Sequence, residues 1–203
     1  MFIFVPTLHV RTLLKKKTSM NNQLDSVAKW YAQGQIFAYP TEAVFGLGCD
    51  PQNKEAVYKI LELKNRPVEK GMILIASDFN QIAPYIRFNE LPEATQQKVL
   101  NSWPGPVTWL LPKSDYTPDW VSGDSSMVAI RITAHPLVRL MCEHLQQPII
   151  STSANPATAD PAKTPEQLRA YFGNELAIVS GELGKQTSPS KIFHSLTLET
   201  IRT

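Results

Sequence analysis

The sequence predicts a single α/β domain in which a twisted, mixed β-sheet is flanked by helices. The chain has 203 residues, of which 43% are apolar and 19% charged, enough to bury one core. Short apolar runs alternate with segments of helical periodicity, a pattern typical of α/β proteins. No apolar run reaches the roughly 18–20 residues that span a bilayer, so an integral membrane protein is excluded.

Cysteine usage favours a cytoplasmic protein. Cys49 and Cys142 are the two cysteines and lie far apart in the chain. Without a secretion signal they indicate reduced thiols, because disulfides persist mainly in exported proteins. A zinc site would need clustered cysteine or histidine ligands and is therefore not predicted.

Residues 1–19 differ from the rest by their charge. They hold four basic residues and no acidic one, so the overall charge of +2 becomes net negative over residues 20–203. A secretory signal places its cations before its apolar run, whereas here the apolar residues come first, so export is not predicted. A transit peptide and a start codon assigned too early are the alternatives. We expect residues 1–19 to be poorly ordered and residues 20–203 to form the domain.

The elements of the domain follow from periodicity, taken in chain order. Residues 24–32 have helical spacing, and Gly34 marks the end of this first helix. Residues 36–40 predict a buried strand. Further helices are predicted over residues 54–63, 79–85, 93–100, 136–145 and 165–172. Further strands are predicted over residues 72–76, 106–111, 127–132, 148–150, 176–179, 191–193 and 198–201.

Common nucleotide-binding and hydrolase motifs are absent. The sequence contains no P-loop, no GxGxxG after a strand, and no HExxH, CxxC or GxSxG. The four histidines are not spaced as metal ligands, so no metal site built from side chains is predicted. Candidate chemistry must therefore come from the unusual segments at strand and helix ends.

Two of these segments carry polar or cationic side chains. In YPTEAVFGLGCD (residues 39–50), Thr41 and Glu42 directly follow a strand, where α/β sheets place ligands; the alternative is that they only cap a turn. In LKNRPVEKG (residues 63–71), Lys64, Arg66 and Lys70 could clamp an anion. The alternative for them is a solvated helix C-terminus, where the helix dipole favours cations.

Two further segments follow apolar strands. Arg131 lies inside the apolar strand of AIRITAHP, so it needs an internal partner or a carboxylate ligand. His135 is interpreted as a helix-start residue. In IISTSAN, Ser151, Ser153 and Asn155 offer donors where we expect the chain to leave the sheet. A hydrolase role for Ser153 is not supported, because no general base is placed by the sequence.

Six segments in this order resemble the YrdC-like family of threonylcarbamoyl-AMP synthases. The resemblance covers Met20 to the C-terminus, and the length is similar to that of the single-domain bacterial form. It implies a YrdC-like sheet with a concave, locally positive face. The segments are YPTEAVFGLGCD, LKNRPVEKG, WPGPVT, AIRITAHP, STSAN and SPSKI.

The resemblance implies a nucleotidyltransferase that forms threonylcarbamoyl-AMP and pyrophosphate from L-threonine, bicarbonate and ATP. The product would serve partner proteins that modify position 37 of tRNA in the cytoplasm. Mg²⁺ would enter with ATP, without a dedicated protein site. One alternative is an RNA-binding or ribosome-maturation module that uses the same cationic concavity, and a weak contact with tRNA is left open. Another is a regulatory domain that binds nucleotide without turnover.

Residue roles are carried over from the family's motifs. Lys64 and Arg66 match its KxR motif and are the expected catalytic residues. The nucleotide-binding set is Lys64, Arg66, Lys70, Ser151, Asn155 and Arg202, and the threonine-binding set is Thr41, Arg131 and Ser153. Arg131 would take the threonine carboxylate. The sequence departs from many relatives by lacking a histidine soon after Arg66 and by having Pro161 where they have a serine.

Overall fold

A computed structural model describes residues 7–203 of the chain, with side chains described for residue 15 and for residues 17–203. The strands are β1 (Phe37–Pro40), β2 (Phe45–Gly48), β3 (Ile73–Ala76), β4 (Val107–Pro112), β5 (Met127–Ile132), β6 (Ile149–Ser153), β7 (Ala177–Ile178), β8 (Lys191–His194) and β9 (Thr200–Arg202). The helices are α1 (Thr7–Ala32), α2 (Lys54–Lys64), α3 (Phe79–Ile82), α4 (Glu93–Asn101), α5 (Asp119–Ser122), α6 (Pro136–Leu145) and α7 (Pro165–Phe172). Three short 3₁₀ turns complete the regular structure of these residues.

The nine strands of the described residues form one mixed sheet in the order β7-β1-β2-β6-β3-β5-β4-β8-β9. β3 pairs with β5 in parallel and β4 pairs with β8 in parallel. β1 and β2 form an antiparallel hairpin, and β6 runs antiparallel to both β2 and β3. This confirms the predicted α/β class with a mixed sheet.

Apolar side chains are buried on both faces of the sheet. Because successive residues of a strand point to opposite faces, Phe37 and Tyr39 pack into one cluster and Ala38 into the other. The cluster with Phe37 includes residues of α1 and α6, such as Val27 and Met141. The larger cluster includes residues of α2 and α4. Helices therefore cover both faces and leave the strand ends available for a site.

Most predicted elements are present within one or two residues of their expected bounds. The exceptions are β2, β6, α5 and the start of α1. β2 was not predicted; its sequence FGLG lies in YPTEAVFGLGCD, a segment singled out for the polar residues after its first strand. β6 continues through Ser153, so the first three residues of STSAN lie in the sheet and do not leave it. α5, a single turn, was also missed.

Helix α1 begins at Thr7 and continues through Met20, so the boundary expected at residue 20 does not coincide with a break in secondary structure. Its packing begins later, since residues 17–22 are exposed and Leu24 and Val27 are buried. Residues 1–6 lie outside the described residues. That the working protein can dispense with residues 1–19 stays a prediction. None of the helices described is long and apolar enough to cross a membrane.

Candidate functional site

A cavity of about 440 Å³ opens where several strand ends and loops meet. Its wall is formed by the β1–β2 turn, the segment after α2, strands β5, β6 and β9, and part of residues 180–190. We call residues 180–190 the strap. Seven of the nine predicted site residues line this cavity: Thr41, Arg66, Lys70, Arg131, Ser151, Ser153 and Arg202. Lys64 and Asn155 are not part of the wall.

The β1–β2 turn is closed by Thr41. Its backbone N–H donates to the carbonyl of Val44 at 3.1 Å, and its hydroxyl donates to the same oxygen at 2.7 Å. Thr41 therefore caps the turn, as one of the two interpretations held, and it also lines the cavity. Glu42 does not cap this turn with its side chain, which instead contacts the end of β5.

Arg131 is buried and has an internal partner, Glu42. Its Nη2 atom lies 3.4 Å from Oε2 of Glu42, and both side chains are largely buried. The Nε atom of Arg131 is buried and has no hydrogen-bond partner among the described residues. The guanidinium thus has a counter-charge, and Arg131 lines the cavity.

Lys64 lies behind the cavity wall, at the C-terminal end of α2. Its Nζ donates to the backbone carbonyls of Ser153 and Asn155, the latter at 2.8 Å, and to Oδ1 of Asn155 at 3.3 Å. Burial, and then the neighbouring charge of Arg66, lower the pKa of Lys64 to about 8. In this structure the ammonium supports the end of β6, and its predicted contact with ATP phosphates stays a prediction.

Asn155 continues this support. Its Oδ1 accepts a hydrogen bond from the Ser153 hydroxyl at 2.6 Å, and its Nδ2 donates to the carbonyls of Pro156 and Ala159. Both polar ends of its amide are therefore used within the loop. Its predicted place beside the nucleotide also stays a prediction.

Arg66 is turned toward the cavity. Asn65 adopts a left-handed conformation that ends α2, and the Arg66 Nη2 atom then donates to the carbonyls of Lys70 and Gly71 at 3.3 and 2.9 Å. Its Nε is buried without a hydrogen-bond partner among the described residues, and burial lowers the pKa of Arg66. Arg66 is therefore not a solvated helix end, and its contact with phosphates stays a prediction.

Arg202 ties β9 to the strap. Its Nε and Nη2 atoms donate to the carbonyl of Ser190 at 3.0 and 2.8 Å, and Nη2 also reaches the Ser190 hydroxyl at 3.1 Å. That hydroxyl lies 2.9 Å from the hydroxyl of Thr108 in β4. Burial, and then the charge of Arg131, lower the pKa of Arg202, and both arginines line the cavity.

Cations outnumber acids among the residues that line the cavity. Arg66, Lys70, Arg131 and Arg202 face two acids, Glu42 and Glu69. Because a partly buried cavity screens charge less than bulk water, such a wall suits a polyanion such as a triphosphate.

No group of three or more histidine, cysteine, aspartate or glutamate residues that could hold a metal ion occurs in the described part of the chain. Cys49 and Cys142 are free and buried, and burial raises the pKa of both thiols. The expectation that Mg²⁺ enters with ATP stays a prediction.

Three residues with polar roles were not predicted. Glu42 was singled out without a function, whereas Thr133 and Ser190 were not considered. Thr133 donates its hydroxyl to Glu42, and Ser190 receives Arg202. A polar residue directly after an apolar strand, such as Thr133 after β5, was the available signal.

Comparisons with known proteins agree with the six-motif resemblance. The family model Sua5_yciO_yrdC, described as "Telomere recombination", matches residues 29–203. A threonylcarbamoyl-AMP synthase from Pseudoalteromonas atlantica is 47% identical over 172 residues, covering 85% of this chain and 92% of that protein. One from Cellvibrio japonicus is 45% identical over 185 residues, covering 91% and 97%.

Solved structures show the same fold. Sua5 from P. abyssi, complexed with L-threonine, superimposes with a TM-score of 0.76 at 30% identity, covering 86% of this chain and 51% of that one. The chain thus spans about half the length of that Sua5 protein. E. coli YciO superimposes with a TM-score of 0.77 at 20% identity, covering 90% and 89%, and at that identity it supports the fold alone.

Proposed function

Because the chain belongs to the Sua5/YciO/YrdC family, we propose that it is a threonylcarbamoyl-AMP synthase, which forms threonylcarbamoyl-AMP and pyrophosphate from L-threonine, bicarbonate and ATP. The supporting observation is that one cavity is lined by residues of both expected sets. These are Thr41, Arg131 and Ser153 for threonine, and four of the six nucleotide-binding residues, Arg66, Lys70, Ser151 and Arg202. No observation favours the RNA-binding alternative.

The chemistry needs no side-chain nucleophile. The neutral threonine amine adds to the carbon of bicarbonate and water leaves, which gives a carbamate. A carbamate oxygen then attacks the α-phosphorus of ATP while pyrophosphate leaves. The protein's task is to orient the reactants and to neutralise phosphate charge. Arg131 holds the threonine carboxylate, and the cations Arg66, Lys70 and Arg202 receive the phosphates. Lys64 assists by holding the backbone at Ser153. In this arrangement its catalytic role is indirect.

Mg²⁺ fits this cavity as a companion of ATP. The wall offers two carboxylates, and that of Glu42 is engaged by Arg131 and Thr133. Glu69 alone cannot complete a Mg²⁺ shell, which requires about six oxygens. When bound, Mg²⁺ supplies charge neutralisation on the phosphates.

The product is a mixed anhydride and would pass to partner proteins that place the threonylcarbamoyl group on position 37 of tRNA. We place the enzyme in the cytoplasm with these partners.

The test is turnover by the full chain with ATP, Mg²⁺, L-threonine and labelled bicarbonate. We expect pyrophosphate release that depends on threonine, with the label entering an adenylate. Pyrophosphate release that is unchanged without threonine, or no release from the folded protein, would overturn the proposal. A labelled RNA bound at moderate salt by an inactive, folded protein would favour the RNA-binding alternative.

Arg66→Ala tests the phosphate clamp. It removes a cation from the cavity wall together with two hydrogen bonds to the carbonyls of Lys70 and Gly71, and we expect kcat/KM for ATP to fall by about 100-fold with the fold retained. Lys64→Ala is a poorer test, since Lys64 is more deeply buried and the change removes the ammonium that holds the backbone carbonyls of Ser153 and Asn155. The matched control is Lys59→Ala, an exposed cation on α2. Near wild-type activity in Arg66→Ala would contradict the assignment.

A further inference from the structure

We propose that Glu42 is a positioning residue for Arg131: its carboxylate, fixed by Thr133, holds the guanidinium in the orientation that receives the carboxylate of the amino-acid substrate. The inference rests on the proposed function, in which Arg131 binds threonine. It gives a role to a cavity-lining acid that would otherwise work against the binding of anions.

The Arg131–Glu42 pair is buried. Arg131 is 6% exposed, and its Nη2 lies 3.4 Å from Glu42 Oε2, so solvent and salt screen the attraction weakly. A single contact of this length uses one edge of the guanidinium. Arg131 also lines the cavity, so the part of its guanidinium that faces the cavity is available to a ligand.

Thr133 fixes the Glu42 carboxylate. The Thr133 hydroxyl accepts a hydrogen bond from the backbone N–H of His135 at 3.0 Å, so its own hydrogen is directed to Oε1 of Glu42. One carboxylate oxygen is therefore held by Thr133 while the other faces Arg131. Arg131 and Thr133 both lie at the end of β5, so the Glu42 carboxylate is held by that strand end through both of its oxygens.

The strap holds the Glu42 backbone. The N–H of Gly184 donates to the carbonyl of Thr41 at 2.8 Å, and the N–H of Gln186 donates to the carbonyl of Glu42 at 3.0 Å. Backbone and side chain of Glu42 are thus fixed by separate elements. A group so constrained can set the orientation of Arg131 without a rearrangement on binding.

The cationic lining of the cavity gives this anchor a role. Arg131 and Arg202 line the same cavity, and burial, followed by the charge of Arg131, lowers the pKa of Arg202. Without Glu42, the Arg131 guanidinium would lose its counter-charge inside a cationic cavity. Glu69, the other acid on the wall, is exposed and has no ion pair with Arg131 among the described residues.

The test compares Glu42→Gln with Glu69→Gln in the full chain. Both variants remove one negative charge from the cavity wall, and only the first removes the partner of Arg131. We expect Glu42→Gln to raise the KM for L-threonine by about tenfold or more, with kcat at saturating threonine and the KM for ATP within about threefold of wild type. Calorimetric binding of L-threonine should weaken by the same factor. Glu69→Gln should leave the threonine KM unchanged.

Thr133 provides a second test if Glu42→Gln does not fold. Thr133→Val removes the hydroxyl at nearly constant volume and should raise the threonine KM, whereas Thr133→Ser keeps the hydroxyl and should restore it. A merely structural role would lower the thermal stability of both Glu42→Gln and Thr133→Val without a selective change in threonine KM.

The outcomes separate this inference from the proposed function. No threonine-dependent turnover in wild type would overturn the function and, with it, this inference. Wild-type turnover with an unchanged threonine KM in Glu42→Gln and Thr133→Val would overturn the inference alone. A collapse of kcat at saturating threonine with an unchanged KM would also overturn it, because Glu42 would then act in the chemical step.

Discussion

Lys64 links the protonation of one buried amine to the stability of the fold. Burial and Arg66 lower its pKa from 10.5 to about 8. Between these values the unfolded chain binds the proton and the folded chain does not, so this group makes the free energy of unfolding rise with pH. From pH 7.5 to 9.5 the integrated gain is about 2 kcal/mol.

Urea unfolding of wild type and Lys64→Met at these two pH values checks this prediction. Lys64→Met lacks the titrating amine, so the difference in unfolding free energy between the two proteins isolates its contribution. We expect that difference to shift in favour of wild type by about 2 kcal/mol as the pH rises. A difference that is independent of pH, or that shifts toward the variant, would mean that the folded pKa is not lowered.

Sequence reasoning found the charged residues of the site more reliably than their partners. It recognised that Arg131, inside an apolar strand, needs a counter-charge. It did not identify Glu42, because the two residues are far apart in sequence and meet only when the β1–β2 turn folds against the end of β5. Its assignment of Lys64 to phosphate stays a prediction, since spacing does not show which side of the wall a side chain takes.

At the level of elements, the close approach of the strap to the β1–β2 turn depends on Gly184, which has no side chain. A Cβ atom at Gly184 would lie 2.6 Å from the carbonyl oxygen of Glu42 and 2.7 Å from its Cα. Gly184→Ala must therefore move the strap away from the β1–β2 turn. This would weaken the two backbone hydrogen bonds that fix Thr41 and Glu42, at a cost of about 1–2 kcal/mol.

Steady-state kinetics of Gly184→Ala check the role of the strap. We expect the threonine KM to rise several-fold, with a Tm decrease of a few degrees. Lys185→Ala alters the exposed neighbour and serves as the control that should behave as wild type. If Gly184→Ala retains the wild-type KM values, the strap does not hold the turn in the orientation needed for threonine.

Strand β2 was missed for a physical reason. β2 contains two glycines in four residues, and glycine weakens strand propensity. Here a side chain would not fit at Gly48, where a Cβ would lie 2.8 Å from Tyr39 and 2.9 Å from the carbonyl of Ile150. The hairpin with β1 and the pairing with β6 hold this segment in the sheet. Tertiary pairing of this kind is not visible in local propensity.

For the whole molecule, the α/β class followed from alternating patterns, whereas the cavity required the sheet order. β2 and β6 are adjacent in the sheet although about 100 residues separate them, and this pairing brings YPTEAVFG and STSAN to one wall. The net charge of the chain gave no indication of the cavity, because the cations that line it are offset by acids elsewhere.

The salt dependence of binding distinguishes a protein that recognises a small molecule from one that recognises a polyanion. An RNA that makes six phosphate contacts would lose about 10³-fold in affinity between 50 and 200 mM salt, through counterion release. L-Threonine is a zwitterion, and the Arg131–Glu42 pair expected to receive it is buried, so few ions are displaced and screening is weak. We therefore expect the threonine KM, measured at saturating ATP across this range of KCl, to change by less than about twofold. A tenfold rise would instead mean that threonine is held by exposed charges, and the cavity assigned to it would then be the wrong one.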